Sequence, residues 1–306
     1  MKIEVVLTES EIAQEFTESL EARDLPEKCF YWFPHSVDGW LALARDPMYE
    51  GLRQLWNAVP EIAKSSLEHL GPIAPVISFG AGDGSKDRPL LDALRASGRD
   101  REYFPIDASQ SLLELACAAA EDADIETTGI KADISSPVHL VFASDAAESP
   151  KVFLMSGNSL GSFDPLEQIR HLAQCLQEGD RLIVDAEIND EGTIARHQQP
   201  AVERFAFAPL GSIGISPEDG EVKFDQKRDE RRQGLFQTRR HFRALRDLPA
   251  VASGVAIARG ERIAMNFQYT YTADAFRWLL AEHARLKILQ ESASADGRFR
   301  VAVCAR

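Results

Sequence analysis

The sequence predicts an α/β fold: a mostly parallel, doubly wound sheet finished by an antiparallel hairpin, with a helical N-terminal part and an insertion before the hairpin. Three observations lead there. Residues 76–79 are a short apolar run that breaks into Gly80-Ala81-Gly82-Asp83-Gly84, as a buried parallel strand does when it turns over a nucleotide. Strand and helix patterns then alternate as far as Glu187, the rhythm of parallel crossovers. Residues 286–291 and 298–303 are strand-like and flank the turn Ala295-Asp296-Gly297.

Composition narrows the function classes. The 306 residues are 44% hydrophobic, enough for one large domain or one domain with an appendage. A net charge of -14 leaves no basic face for a phosphate backbone, so no nucleic-acid partner is expected. No apolar run approaches the roughly 18 residues of a membrane span. The start, Met1-Lys2-Ile3-Glu4, lacks a basic flank and an apolar signal core. No membrane association is expected. Cys29, Cys117, Cys175 and Cys304 are scattered and read as reduced thiols of a cytoplasmic protein. The seven histidines make no ligand spacing, so no metal is expected.

Taken in order, residues 9–22 and 48–70 read as helices; Leu52, Leu55, Trp56, Val59 and Ile62 form one face of the second. Between them lies Cys29-Phe30-Tyr31-Trp32-Phe33-Pro34-His35-Ser36-Val37-Asp38-Gly39-Trp40, too rich in aromatics, Pro and Gly for a simple helix. It reads as a cluster sealing the N-terminal part onto the core, or as a wall over a ligand pocket to which Tyr31 and Tyr49 would present hydroxyls. After the glycine turn, residues 86–97 form a helix with Leu90, Leu91 and Leu94 on one face. Residues 102–107 are a strand ending in Asp107, about 23 residues beyond Gly84, close to the spacing at which an acid accepts both hydroxyls of a ribose; the alternative is a cap for the next helix, 110–121. A third strand, 125–134, ends in Lys131-Ala132-Asp133-Ile134. Asp133 there would take the exocyclic amine of an adenine and Ile134 would pack on its ring; a solvated turn is the other reading.

The fourth strand runs through Phe153-Leu154-Met155 into Ser156-Gly157-Asn158, helix 164–177 follows, and Arg181–Glu187 is the fifth strand. Ligands of such sheets bind at the C-terminal strand ends, where Gly80 to Gly84, Asp107, Asp133 and Ser156 to Asn158 all fall. Residues 190–208 read as helical and 211–220 as a loop. Residues 222–245 read as strand-like, with charge runs at Arg228-Asp229-Glu230-Arg231-Arg232 and Arg239-Arg240-His241. Those runs read as a solvated face, with steering of an anionic substrate as the minority reading. Residues 262–269 alternate polar and apolar, so one face is expected to be buried and the other to line a cavity. A helix over 273–283 precedes the closing hairpin, which points away from hydride-transfer folds and toward methyl-transfer folds.

These stretches resemble the class I S-adenosylmethionine (SAM)-dependent methyltransferases, and more narrowly the histidine-specific Nα-methyltransferase family of ergothioneine biosynthesis. The resemblance rests on Gly80 through Lys86 with Leu90-Leu91-Asp92-Ala93-Leu94, on Tyr103-Phe104-Pro105-Ile106-Asp107-Ala108-Ser109, on 153–165, and on Gly260-Glu261-Arg262-Ile263 with Tyr269-Thr270-Tyr271-Thr272. It covers most of the chain and is densest over 76–188.

The resemblance implies a division into a helical cap at 1–70, a SAM-binding core at 71–190, a substrate-side insertion at 191–270 and completion of the core sheet at 271–306. It implies that SAM is bound by Gly80, Ala81, Gly82, Lys86, Asp107, Ala108, Asp133, Ile134, Ser156 and Gly157 and leaves as S-adenosylhomocysteine. Lys86 would reach the methionine carboxylate. Tyr49, Asn158, Asn266 and Gln268 would orient the substrate, with Ser162 the alternative to Asn158 and Glu187 and Asp190 as weaker contacts for an ammonium. The family places a Glu and a Ser two apart where this chain has Asn266 and Gln268. Neutral amides make no charge-assisted bond to an imidazole. The expected reaction is therefore N-methylation of an amino acid or small amine-bearing metabolite other than free histidine. An O- or C-methyltransferase of an aromatic metabolite, a SAM-binding partner protein without turnover, and a nicotinamide dehydrogenase are the competing readings.

Overall fold

The computed structural model describes residues 1–249 and 254–306. Its centre is a sheet of eight strands: β1 (Lys2–Val5), β2 (Ile73–Phe79), β3 (Asp100–Asp107), β4 (Glu126–Lys131), β5 (Val152–Met155), β6 (Arg181–Glu187), β10 (Lys287–Ala293) and β11 (Phe299–Ala305). They lie in the order β1-β4-β3-β2-β5-β6-β11-β10. Pairs from β1 to β6 are parallel, and β11 inserts antiparallel between β6 and β10. This is the expected α/β sheet with its closing hairpin. The strand order reverses at β2, so a crevice opens above the ends of β2 and β5. Phe79, Ile106, Ile130, Phe153 and Val184 pack on one face; Val76, Tyr103, Leu154 and Ile183 pack on the other.

Helix Gln110–Glu121 has its expected bounds, with Ser109 accepting from the Leu112 N–H at its start. Other boundaries move for local reasons. The 48–70 pattern becomes helix Glu50–Ala63 followed by a 3₁₀ turn, Lys64–Leu67. The 190–208 pattern splits into Thr193–His197 and Pro200–Ser212, because Gln199 precedes a proline and stays extended (ψ 149°). Strand β1 and helix Pro137–Ser144 have no counterpart in the sequence reading. β1 is four residues long and partly exposed, too short for periodicity to register.

The aromatic stretch is more regular than expected. Glu27–Tyr31 is a 3₁₀ turn and Pro34–Ala44 an α-helix, which Pro34 opens at its first turn. The last third supplies a second sheet of three antiparallel strands, β7 (Gly220–Arg228), β8 (Leu235–Ala244) and β9 (Arg262–Tyr271). Phe16, Leu20 and Phe30 of the N-terminal part share one core with Val202, Phe205, Phe242, Ile263 and Met265. That shared core holds the N-terminal segment and the small sheet together over the strand ends. Residues 250–253, within the expected insertion, lie outside the described residues.

Candidate active site

Above the strand ends is a cavity of about 500 Å³. One half of its wall comes from β2 to β5. Beyond Phe79, Gly80, Gly82 and Gly84 adopt φ of 69°, 59° and 72°, the left-handed region that favours glycine. A Cβ on Gly82 would sit 2.4 Å from Cη2 of Trp40, so the turn also needs a bare backbone there. Asp107, at the end of β3, accepts the Gly82 N–H at 3.0 Å and the Ser109 N–H at 2.9 Å. Burial pushes its carboxyl above the ordinary value, and these N–H donors oppose the rise. Each oxygen keeps lone pairs for a ligand hydroxyl. Lys86 is half-buried, its Nζ 5.3 Å from the Trp40 ring centroid, with no carboxylate among the described residues within 4.0 Å.

Nine of the ten residues expected to hold the cofactor line this cavity: Gly80, Gly82, Lys86, Asp107, Ala108, Asp133, Ile134, Ser156 and Gly157. The buried Ser156 hydroxyl has no partner among the described residues. Ala81 is the exception: it faces inward and its N–H donates to the Ile106 carbonyl at 3.0 Å. Asp133 is not an open acceptor. Lys28 pairs with one of its oxygens, and Ser135 donates to the other through its N–H at 2.8 Å and its hydroxyl at 2.6 Å. Burial works against ionisation of Asp133, but the Lys28 ammonium overrides it and holds the carboxyl below its ordinary value.

The other half of the wall comes from the N-terminal segment and the small sheet. Tyr49, Asn266 and Gln268 line it as expected. Asn158 does not. Its Oδ1 accepts the Glu187 N–H at 3.1 Å and its Nδ2 donates to the Tyr269 carbonyl at 3.3 Å, so the amide is consumed in joining β6 to β9. Ser162, the alternative match, does line the cavity, and its hydroxyl donates to Oε1 of Gln268 at 3.4 Å. Glu187 and Asp190 are also engaged elsewhere. Glu187 bonds His197 at 3.0 Å and Arg196 at 3.5 Å, and Asp190 takes Arg196 at 3.0 Å. The simple alternation expected of β9 is broken by a bulge opposite Arg239 to His241, so consecutive residues Met265 to Gln268 all reach the wall.

The sequence model of the histidine-specific, SAM-dependent methyltransferases matches residues 54–306. The chain belongs to this family. It is an enzyme of the α/β methyltransferase class, and its cofactor is SAM. The Histidine N-alpha-methyltransferase of Mycolicibacterium smegmatis is 32% identical over 156 residues, a stretch covering 49% of this chain and 47% of that relative. The matched region thus spans about half of the relative's length. Among solved structures, a SAM-dependent methyltransferase from Clostridium acetobutylicum aligns at a TM-score of 0.46 with 12% identity, over 89% of this chain and 96% of its own. The CcbJ methyltransferase of Streptomyces caelestis aligns at 0.43 and 12%, over 82% and 88%. No helix among the described residues is long and apolar enough to cross a membrane, and none of their His, Cys, Asp and Glu side chains cluster to hold a metal ion.

Three residues of this methyltransferase's site escape a reading of its sequence. Asp185, an acid within Leu182-Ile183-Val184-Asp185-Ala186, accepts the Gly157 N–H at 2.8 Å, the Asn158 N–H at 2.5 Å and the indole N–H of Trp56. It fixes the loop that carries Ser156 and Gly157. A lone charge in a buried strand is its signal. Glu27 lines the cavity and accepts the Tyr31 hydroxyl at 2.9 Å. Burial raises its carboxyl to about 7, with Tyr31, Arg240, Ser162 and Asn266 opposing the rise. Arg240, read as part of a solvated charge run, is in fact buried, 5% exposed, and lines the cavity. Arg239 beside it is exposed, as the two-residue strand period requires.

Proposed function

We propose that this enzyme transfers a methyl group from SAM to the amino group of an amino acid or small amine-bearing metabolite other than free histidine. Gly80, Gly82, Ala108, Ser156 and Gly157 would form the cradle, Lys86 would meet the methionine carboxylate, Asp107 the ribose, and Ile134 would pack on the adenine. SAM supplies a methyl carbon already activated by its sulfonium. The protein's task is to hold an unprotonated amine in line with it and keep competing water away. Tyr49, Ser162, Asn266 and Gln268, which line the cavity, would orient the amine's carrier. Glu27 is placed to accept a proton from an ammonium nitrogen onto its carboxylate, leaving the nitrogen lone pair free.

One observation carries this reading. The cofactor cradle opens without a break into a wall where β9 offers the amides Asn266 and Gln268 rather than an acid, and a nearby carboxylate, Glu27, comes from the N-terminal segment. A carboxylate on a different element addresses a different part of the substrate than one on β9 would. The test is a screen of L-amino acids and metabolite amines with SAM, read by mass spectrometry as gains of one, two or three methyl groups. Methylated amines other than histidine support the proposal. Efficient methylation of free histidine removes the exclusion, and transfer confined to phenols or carbon acids overturns N-methylation.

A further inference from the structure

Arg240 projects from β8 into the cavity beside the bulge in β9. Its Nη1 donates to Oδ1 of Asn266 at 3.1 Å. Its buried Nε has no partner, and no carboxylate among the described residues lies within 4.0 Å of the guanidinium. The Phe224 ring, 5.6 Å away, is a weak substitute. A buried guanidinium without an anion is costly, and its planar fork of donors matches a carboxylate. Glu27 faces the same space, and Asn266, which meets Arg240 through its carbonyl oxygen, lines it as well. The wall therefore presents one positive and one negative group together with a neutral amide.

We infer that Arg240 anchors a carboxylate of the substrate while Glu27 takes its amine, so that the site selects a zwitterionic amino acid over an amine lacking a free carboxylate. The inference rests on the proposed amine methylation and narrows its substrate class. A ligand spanning the pair would satisfy the unpartnered N–H groups with a charge-assisted, two-pronged bond. It would also neutralise both buried charges in one step.

The test compares wild type with Arg240→Gln and Arg240→Lys. Each L-amino acid of a panel is paired with its own carboxamide, which keeps the amine and loses the anion. Methyl transfer is followed by S-adenosylhomocysteine release. Binding to the S-adenosylhomocysteine complex is followed by calorimetry. Wild type is expected to prefer the free acid on the order of 100-fold in kcat/KM. Arg240→Gln should erase that preference with SAM affinity unchanged, and Arg240→Lys should keep it in weaker form. Without ligand, Arg240→Gln should melt at or above the wild-type temperature, because it removes an uncompensated charge. A fall of several degrees would make Arg240 a structural residue and overturn the inference, as would equal use of acids and amides by wild type. Binding of free acids through Arg240 with no methyl transfer to any amine would sink the proposed reaction and leave the anchor standing. Amine methylation indifferent to the carboxylate would do the reverse.

Discussion

Replacing Glu27 with glutamine tests the half of the site that the cofactor turn does not touch. In the folded protein this carboxyl sits at about 7 rather than 4.5, because burial outweighs the help of Tyr31, Arg240, Ser162 and Asn266. A carboxyl raised on folding favours the native state while protonated. Its contribution is complete below about pH 4.5, is lost as pH rises, and is gone above about 7. The interval corresponds to about 3 kcal/mol at about 1.36 kcal/mol per pH unit, and water in the cavity reduces it toward about 1–2. Glu27→Gln keeps the shape and removes the titration. Urea unfolding at pH 5, 7 and 9 should show wild type losing stability relative to the variant by about 1–3 kcal/mol across that window. Other groups that titrate there, such as Asp87, raised by burial to about 6, cancel in the difference. In turnover, wild-type kcat/KM should rise through neutrality, and the variant should be slower by about 100-fold or more with the rise abolished. Parallel stability curves for the two proteins would refute the placement of an ionising carboxylate in this wall.

Asp107→Asn retains the side chain's shape and removes the charge aimed at the ribose; SAM affinity measured by calorimetry should fall about 10- to 100-fold with the fold intact. Unchanged affinity would remove Asp107 from the cofactor site. Lys28→Met leaves the buried Asp133 carboxylate without its cation and should lower stability at pH 7 by about 3 kcal/mol in thermal or urea unfolding. Because Asp133 is held below its ordinary 3.8 when folded, its contribution is present above that value and disappears as pH falls through the folded one. The two proteins should therefore converge in strong acid, and a gap that persisted there would assign Lys28 some other role.

The cofactor half of the cavity is legible in the sequence because its chemistry is local. Gly80, Gly82 and Gly84 announce a turn through their spacing, Asp107 closes the apolar run Tyr103-Phe104-Pro105-Ile106, and Asp133 stands two residues beyond the end of the next strand. Most of the sheet is legible for the same reason: its crossovers leave a strand, a helix face and a cap in one continuous stretch, the exceptions being β1 and the crossover helix Pro137–Ser144. The substrate half is assembled from segments far apart in the chain, and local pattern says little about them. Glu27 stands in a polar stretch before an aromatic one, where only tertiary packing turns it inward. Arg240 is hidden in Arg239-Arg240-His241, because composition counts three basic residues where the strand period buries the middle one. Asn158 misleads in the opposite direction: it occupies the expected loop, but the left-handed backbone there (φ 56°) and the proximity of β6 and β9 commit its amide to the protein itself.

Asn266 shows why an amide can be preferable to an acid on β9. Its carbonyl oxygen meets Arg240, and Glu27 lines the same cavity. An acid at that position would form a buried ion pair with Arg240 and repel Glu27, whose proton would then be harder still to release. The guanidinium would have its anion within the protein, and a substrate carboxylate would have to displace it. Asn266→Asp, nearly identical in shape, should therefore melt at or above the wild-type temperature. Its preference for free amino acids over their carboxamides should collapse from the order of 100-fold to within about 10-fold. Carboxylate binding to the S-adenosylhomocysteine complex, followed by calorimetry, should weaken in step. A variant that kept the preference intact would mean that the anion is read elsewhere, because a carboxylate introduced on β9 and paired with Arg240 leaves no free fork for a ligand.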